Sequence, residues 1–129
     1  MATMVLMFGL VAISNLMIFA TSSNSVANRA SAATMLAGQE LETLRSTPYS
    51  ALADSPADAL DVQAPGFFRV TTFQGVGTFE TRWLVRALAN PNQRFLHVRT
   101  EPRGFRGRWA RAEFTTVRVC STGPTTGCL

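Results

Sequence analysis

The chain has no lysine and almost no histidine: all 12 basic side chains are arginine, and His97 is the single imidazole. One imidazole in a β-rich run, with no second histidine or carboxylate cluster beside it, is read as a plain sheet residue. It cannot supply a paired acid and base or complete a metal site. Cysteine is as scarce. Cys120 and Cys128 are the only two and lie in a Gly/Thr-rich tail, and two thiols alone are not a zinc pattern. No catalytic residue, metal ligand set or cofactor is expected, so the chain reads as a non-enzyme. Charge is absent from the first stretch altogether, because the first charged side chain is Arg29. A cleaved secretory signal carries a positive region ahead of its apolar core. Without one, an uncleaved signal anchor fits better.

What is present at the N-terminus is apolar. Met1 to Ala20 reads MATMVLMFGLVAISNLMIFA, and roughly 20 such residues in a helix span a bilayer. The helical pattern continues past that run. Val26, Ala30, Ala33, Ala37, Leu41 and Leu44 recur at spacings of three and four, which places them on one helix stripe. Pro48 ends the pattern, because the residue before a proline is pushed out of the α region. One helix from near Met1 to about Ser46 is therefore expected, roughly 70 Å long. Residues 1–25 form its membrane half and 26–47 its amphipathic half.

Residues 48–66 read as a linker, with Pro48, Pro56 and Pro65 among Ser, Ala and Asp and a short helical turn near Ala57–Leu60. After Gly66 the period becomes two. Phe68, Val70 and Thr72 alternate with Arg69, Thr71 and Phe73, and Trp83 and Val85 alternate with Arg82, Leu84 and Arg86. Phe95–Arg99 is a short strand, and Phe114–Cys120 (FTTVRVC) is the clearest strand signal. Turns are expected at Asn90–Asn92 and from Glu101 onward. These segments give a small antiparallel meander over residues 67–129, closed by a cysteine loop. Its open face is covered by the amphipathic stripe, the only long element available. The expected fold class is α+β: a long N-terminal helix packed on a small antiparallel sheet.

Charge is divided unevenly. Residues 31–63 carry Arg45 against Glu40, Glu42, Asp54, Asp58 and Asp61. From Ala64 onward ten arginines face Glu80, Glu101 and Glu113. The formal charge of +4 thus hides an acidic neck and a basic head, a pattern that speaks to partners rather than to fold. Glu40 and Glu42 lie two apart on the helix and do not share a face, so both read as solvated neck charges. A disulfide between Cys120 and Cys128 is expected, since a head this small needs a staple. Closing so short a loop stabilises by about 2–3 kcal/mol in the chain-entropy model.

The apolar run Ala2-Thr3-Met4-Val5-Leu6-Met7-Phe8-Gly9-Leu10 and the segment AGQELETLRSTPYSAL from Ala37 to Leu52 carry a family likeness. With the helix, the sheet and the terminal cysteines, the chain resembles the type IV pilin-like superfamily, and within it the minor pilins of the PilV class, the type IV pilus modification proteins. The resemblance implies a subunit held in the bacterial inner membrane by one helix and then assembled, through Val5, Leu6, Met7, Phe8, Gly9, Leu10, Val11, Ile13 and Leu16, into an extracellular pilus. Its partners would be major and minor pilins in a priming or tip complex, with a large tip adhesin as a further partner. A pseudopilin of a type II secretion system shares the same plan. Family precursors carry a basic leader, a glycine at the cleavage point and a glutamate early in the mature helix. None of these stands in this sequence, and the reading frame is expected to extend upstream of Met1.

Two further segments bear on assembly. Gly9, Ser14 and Asn15 interrupt the apolar run, either as a stretch that bends on packing or as small and polar residues that face other helices. The segment Arg99–Arg111 (RTEPRGFRGRWAR) interleaves Phe105 and Trp109 with arginines. Such a mix suits single-stranded nucleic acid, which would make the chain a DNA-binding accessory pilin, although no nucleic-acid module surrounds it. The favoured reading is docking between subunits, with Glu40, Glu42, Asp58 and Asp61 of one chain meeting Arg103, Arg106 and Arg108 of another.

Overall fold

A computed structural model describes residues 2–90, 92–104 and 110–120, with side chains from Leu6 onward. Its first element is a single helix, α1 (Ala2–Ser46). The 45 residues make a rod of roughly 68 Å. The rod stops where the sequence requires. The Thr47 N–H and the Ser46 and Thr47 hydroxyls all converge on the Thr43 carbonyl, and Pro48 is extended (φ −51°, ψ 139°). The Arg118 guanidinium, from the far end of the chain, donates to the carbonyls of Leu44 and Thr47. A cation on the last free carbonyls suits the negative end of the helix dipole.

Four strands follow: β1 (Phe68–Phe73), β2 (Gly77–Ala87), β3 (Gln93–Pro102) and β4 (Ala112–Val119). They form one antiparallel sheet in the order β1-β2-β3-β4. The chain is thus α+β, one long helix on a four-stranded antiparallel sheet, an arrangement consistent with the pilin-like plan. β3 is longer than the five residues its β-propensity marks. Glu101 and Pro102 continue the ladder opposite Glu80 and Phe79, and a proline is tolerated at a strand end. The long connection therefore starts at Arg103.

Register fixes the two faces. Phe79, Trp83 and Val85 of β2 share a face with Leu96 and Val98 of β3 and with Ala112 and Phe114 of β4. This face packs on Ala33, Leu36, Ala37 and Leu44 of α1, with Leu41 at its margin. Of the stripe identified by spacing, Ala33, Ala37, Leu41 and Leu44 meet the sheet, Val26 and Ala30 do not enter the core, and Leu36 joins it. Ala33 and Ala37 are wholly buried, and their small size lets the rod lie close to the strands. Thr81 and Thr100 face each other in this core, and their hydroxyls bond at 2.9 Å. Each is buried, so each satisfies the other.

Residues 48–66 are not a loose tether. A short 3-10 turn covers Tyr49–Ala51, and Leu52, Ala59, Leu60 and Ala64 are buried. Ser55 pairs with Val85 through both its backbone N–H and its hydroxyl, filling the edge of β2 that β1 leaves open. Asp54 reaches Arg94 at 2.6 Å, and the same guanidinium lies over the Tyr49 ring, 5.3 Å from its centroid. Leu84, which alternates with Trp83 and Val85, is buried as well, on the sheet face away from the helix.

Candidate functional site

Two surfaces stand out. The first is the N-terminal half of α1. From Leu6 to Phe19 no described residue covers it: Phe8 is 77% exposed and Leu10 58%. This helix is long and apolar enough to cross a membrane, with a mean hydropathy of 1.7 over its best window. Water around so much apolar area costs about 25 cal/mol per Å², which is compatible with a single-pass membrane anchor. Of the residues expected in this contact, Leu6, Met7, Phe8, Gly9, Leu10, Val11, Ile13 and Leu16 all lie on the exposed half. The side chain of Val5 lies outside the described residues. Gly9 does not break the helix, and the Ser14 hydroxyl is satisfied within it by the Leu10 carbonyl at 2.9 Å.

The second surface is the sheet face turned away from α1. Alternation places Arg82 of β2, Arg99 of β3 and Glu113 of β4 side by side. Arg99 Nε meets Glu113 Oε1 at 2.6 Å, and its Nη1 meets Asp61 Oδ1 at 3.1 Å. Arg82 and Arg99 both donate to the Leu60 carbonyl, at 3.0 and 3.2 Å. Arg111 also bonds Glu113, and Arg82 Nε bonds Glu80 at 2.8 Å. Beside this network Glu80, Arg82, Arg99, Glu101, Pro102, Arg103 and Gly104 line a cleft of about 300 Å³.

The electrostatics follow from this pairing. Burial pushes the Glu113 carboxyl up, but hydrogen bonds from Arg111 and Arg99 outweigh it and hold the group below the usual carboxylate range. Glu80 behaves alike: burial raises it, and bonds from Arg82 and Gln63 pull it below that range. His97 is lowered, by burial first, with Glu113 opposing and Arg99 and Arg111 reinforcing the shift. Its Nε2 is buried with no hydrogen-bond partner among the described residues, and Glu113 stands 3.8 Å away. The shift favours the uncharged form, and His97 lies within β3, in the sheet where the sequence puts it. No group of His, Cys, Asp or Glu suited to a metal ion occurs among the described residues.

The docking residues are placed differently from the expectation. Glu40 is not a solvated neck charge. It is 4% exposed and bonds Arg69 of the same chain at 2.8 Å, because the stripe that carries Ala33, Ala37 and Leu44 carries Glu40 too. Asp61 is also occupied within the chain, by Arg99. Glu42 is exposed and pairs with Arg45 at 3.0 Å, while the side chains of Asp58 and Arg103 are exposed. Arg106, Arg108, Phe105, Trp109 and Cys128 lie outside the described residues. Cys120 is buried at the end of β4, with its N–H on the Asn92 carbonyl at 2.7 Å. Sequence reasoning missed the pairs Arg69–Glu40, Arg82–Glu80 and Arg99–Glu113. Alternation would have put Arg82 and Glu80 on one face, but only register brings Arg99 to Glu113. Comparison with protein-family models, with curated proteins and with solved structures finds no match to this chain.

Proposed function

We propose that the chain is a minor pilin of the PilV type, held in the bacterial inner membrane by α1 before it joins a pilus filament. The observation that supports this reading is the continuity of α1: one uninterrupted rod whose first half is apolar and bare and whose second half is the spine of the sheet. Such a subunit gives its bare half to lipid, then exchanges lipid for neighbouring helices without refolding its head. Helix association in that setting rests on close packing and buried polar contacts rather than on a hydrophobic difference. The network on the outer sheet face supports a rigid head.

The test is cell fractionation of cells that produce the full chain. Carbonate-washed membranes should retain it, and sheared surface filaments should contain it alongside other pilins. Leu10→Arg places a charge at the centre of the span, which costs about 2.5–3.5 kcal/mol on insertion, and should deplete both fractions. Retention in membranes with none in filaments would refute the pilus reading and leave a membrane anchor with a binding head. Recovery with a secretion complex instead would assign the pseudopilin role.

A further inference from the structure

Arg103, the first residue after β3, plays no part in the reading above, and its position in the fold suggests a role. The strands run alongside α1, so the two ends of the sheet sit at different heights on the rod. At one end Arg118 caps the helix at Leu44. At the other, the Val76 carbonyl in the β1–β2 turn accepts from Arg29 Nε at 3.3 Å. That second end is the one nearest the apolar half of the helix. The β3–β4 connection leaves the sheet there too, because the Arg103 N–H donates to the Thr78 carbonyl at 2.7 Å. That end of the head thus carries Arg29 and Arg103.

The heights agree with a bilayer. Arg29 stands nine residues beyond Ala20, roughly 13 Å of helix. A headgroup layer is about 5–8 Å deep on each side of the hydrocarbon, and the field of an anionic surface reaches about 8 Å further. The carboxylates at this end are occupied. Glu80 is bonded by Arg82 at 2.8 Å, and Glu101 lies 3.4 Å from Arg111. Arg103 is exposed; it shares a cleft with Glu80 and Glu101 and acts on Glu80 electrostatically, but no carboxylate of the described residues bonds it within 4 Å. We propose that this end of the head docks on the anionic phospholipid surface of the membrane that holds α1, with Arg103 offering its guanidinium to lipid phosphate. The inference rests on the membrane reading above. It gives the basic head a lipid partner, and release from that surface becomes part of leaving the membrane.

The experiment uses the full chain in phosphatidylcholine vesicles doped with spin-labelled phosphatidylcholine or spin-labelled phosphatidylglycerol, read by electron paramagnetic resonance. The wild-type chain should immobilise phosphatidylglycerol in preference. Arg103→Glu should lower that preference by about fivefold or more, at roughly fivefold per charge near the surface, and high salt should do the same. Arg86→Glu, an exposed arginine at the other end of β2, should leave it unchanged. Equal immobilisation of the two lipids by the wild-type chain, or an Arg103→Glu chain that behaves as wild type, overturns the proposal. So does a chain without lipid preference that retains a single-stranded oligonucleotide through Arg103, which would assign the surface to nucleic acid. Immobilisation of neither lipid removes the membrane reading itself, and this inference with it.

Discussion

Glu40 offers the sharpest test of how the helix holds the head. Its carboxylate is almost wholly buried and meets Arg69 at 2.8 Å. Burial raises its pKa above the usual carboxylate range, and Arg69 offsets that only in part. Arg69→Ala therefore leaves a buried charge without its counter-ion. The cost should be about 1–3 kcal/mol, that of a buried polar group left unsatisfied. It falls short of the 3–5 kcal/mol typical of a broken, fully buried pair, because the Arg69 side chain is 56% exposed and water can reach the gap. The sign with pH follows from linkage. A carboxyl with a raised folded pKa stabilises the fold fully below its unfolded pKa, and that stability is lost as pH rises through the folded pKa. Arg69→Ala raises the folded pKa further, so its penalty should be full at neutral pH and vanish in acid, where Glu40 is protonated in both proteins. Denaturant unfolding in detergent micelles, followed by tryptophan fluorescence, measures this at the two pH values. In a Glu40→Gln background Arg69→Ala should cost little. A penalty of equal size at both pH values, or none at neutral pH, would refute the reasoning.

Other expectations follow from the same core. Thr81→Val should destabilise by about 1–3 kcal/mol by stranding the Thr100 hydroxyl, whereas Thr81→Val with Thr100→Val should be close to neutral; chemical denaturation of the single and double variants decides it. Ala37→Leu should force the helix off the sheet and cost about 1–3 kcal/mol or more, and an unchanged unfolding midpoint would mean that α1 does not seat there. Leu44→Ala should cost roughly 2–5 kcal/mol, read in the same assay. Cys120 should be disulfide-bonded to Cys128, which intact mass with and without reductant tests; full alkylation without reductant would contradict it.

Much of this fold is legible because it rests on period. The spacing of Ala33, Ala37 and Leu44 gave the buried stripe, and Pro48 gave the helix end. The alternation in FTTVRVC gave β4. What period cannot carry is register. Alternation groups Arg82, Leu84 and Arg86 on one face of β2, but only register shows that Leu84 is buried there and that Arg82, Arg99 and Glu113 meet. Their meeting depends on where the turns fall, and a one-residue slip would send each to the other face. Glu40 misled for a related reason. A glutamate on a helix reads as exposed, but its angular position is that of the apolar stripe, and Arg69 on β1 made its burial tolerable. Residues 48–66 read as a linker because proline density hides the few apolar side chains, Leu52 and Leu60 among them, that anchor it.

The use of arginine alone follows from how this head is built. A guanidinium holds five donors in a fixed fork, so one side chain can bond a carboxylate and a carbonyl together, which a lysine ammonium does with less geometric definition. Arg99 bonds Glu113, Asp61 and the Leu60 carbonyl at once, and Arg82 joins Glu80 to that same carbonyl. Arg118 closes the helix end from 74 residues away. These bonds tie residues 48–66, the sheet and the helix into one body, a role a larger core would otherwise fill in so small a domain. They also consume much of the charge asymmetry inside one chain. Carboxylates already held by their own arginines contribute little to a second subunit, because each exposed pair is worth only about 0–1 kcal/mol and forming it anew requires breaking one of similar worth. Under the pilin reading, the energy of assembly then falls on the bare half of α1. Under the proposed lipid docking, the charges of the head set what it rests against before assembly begins.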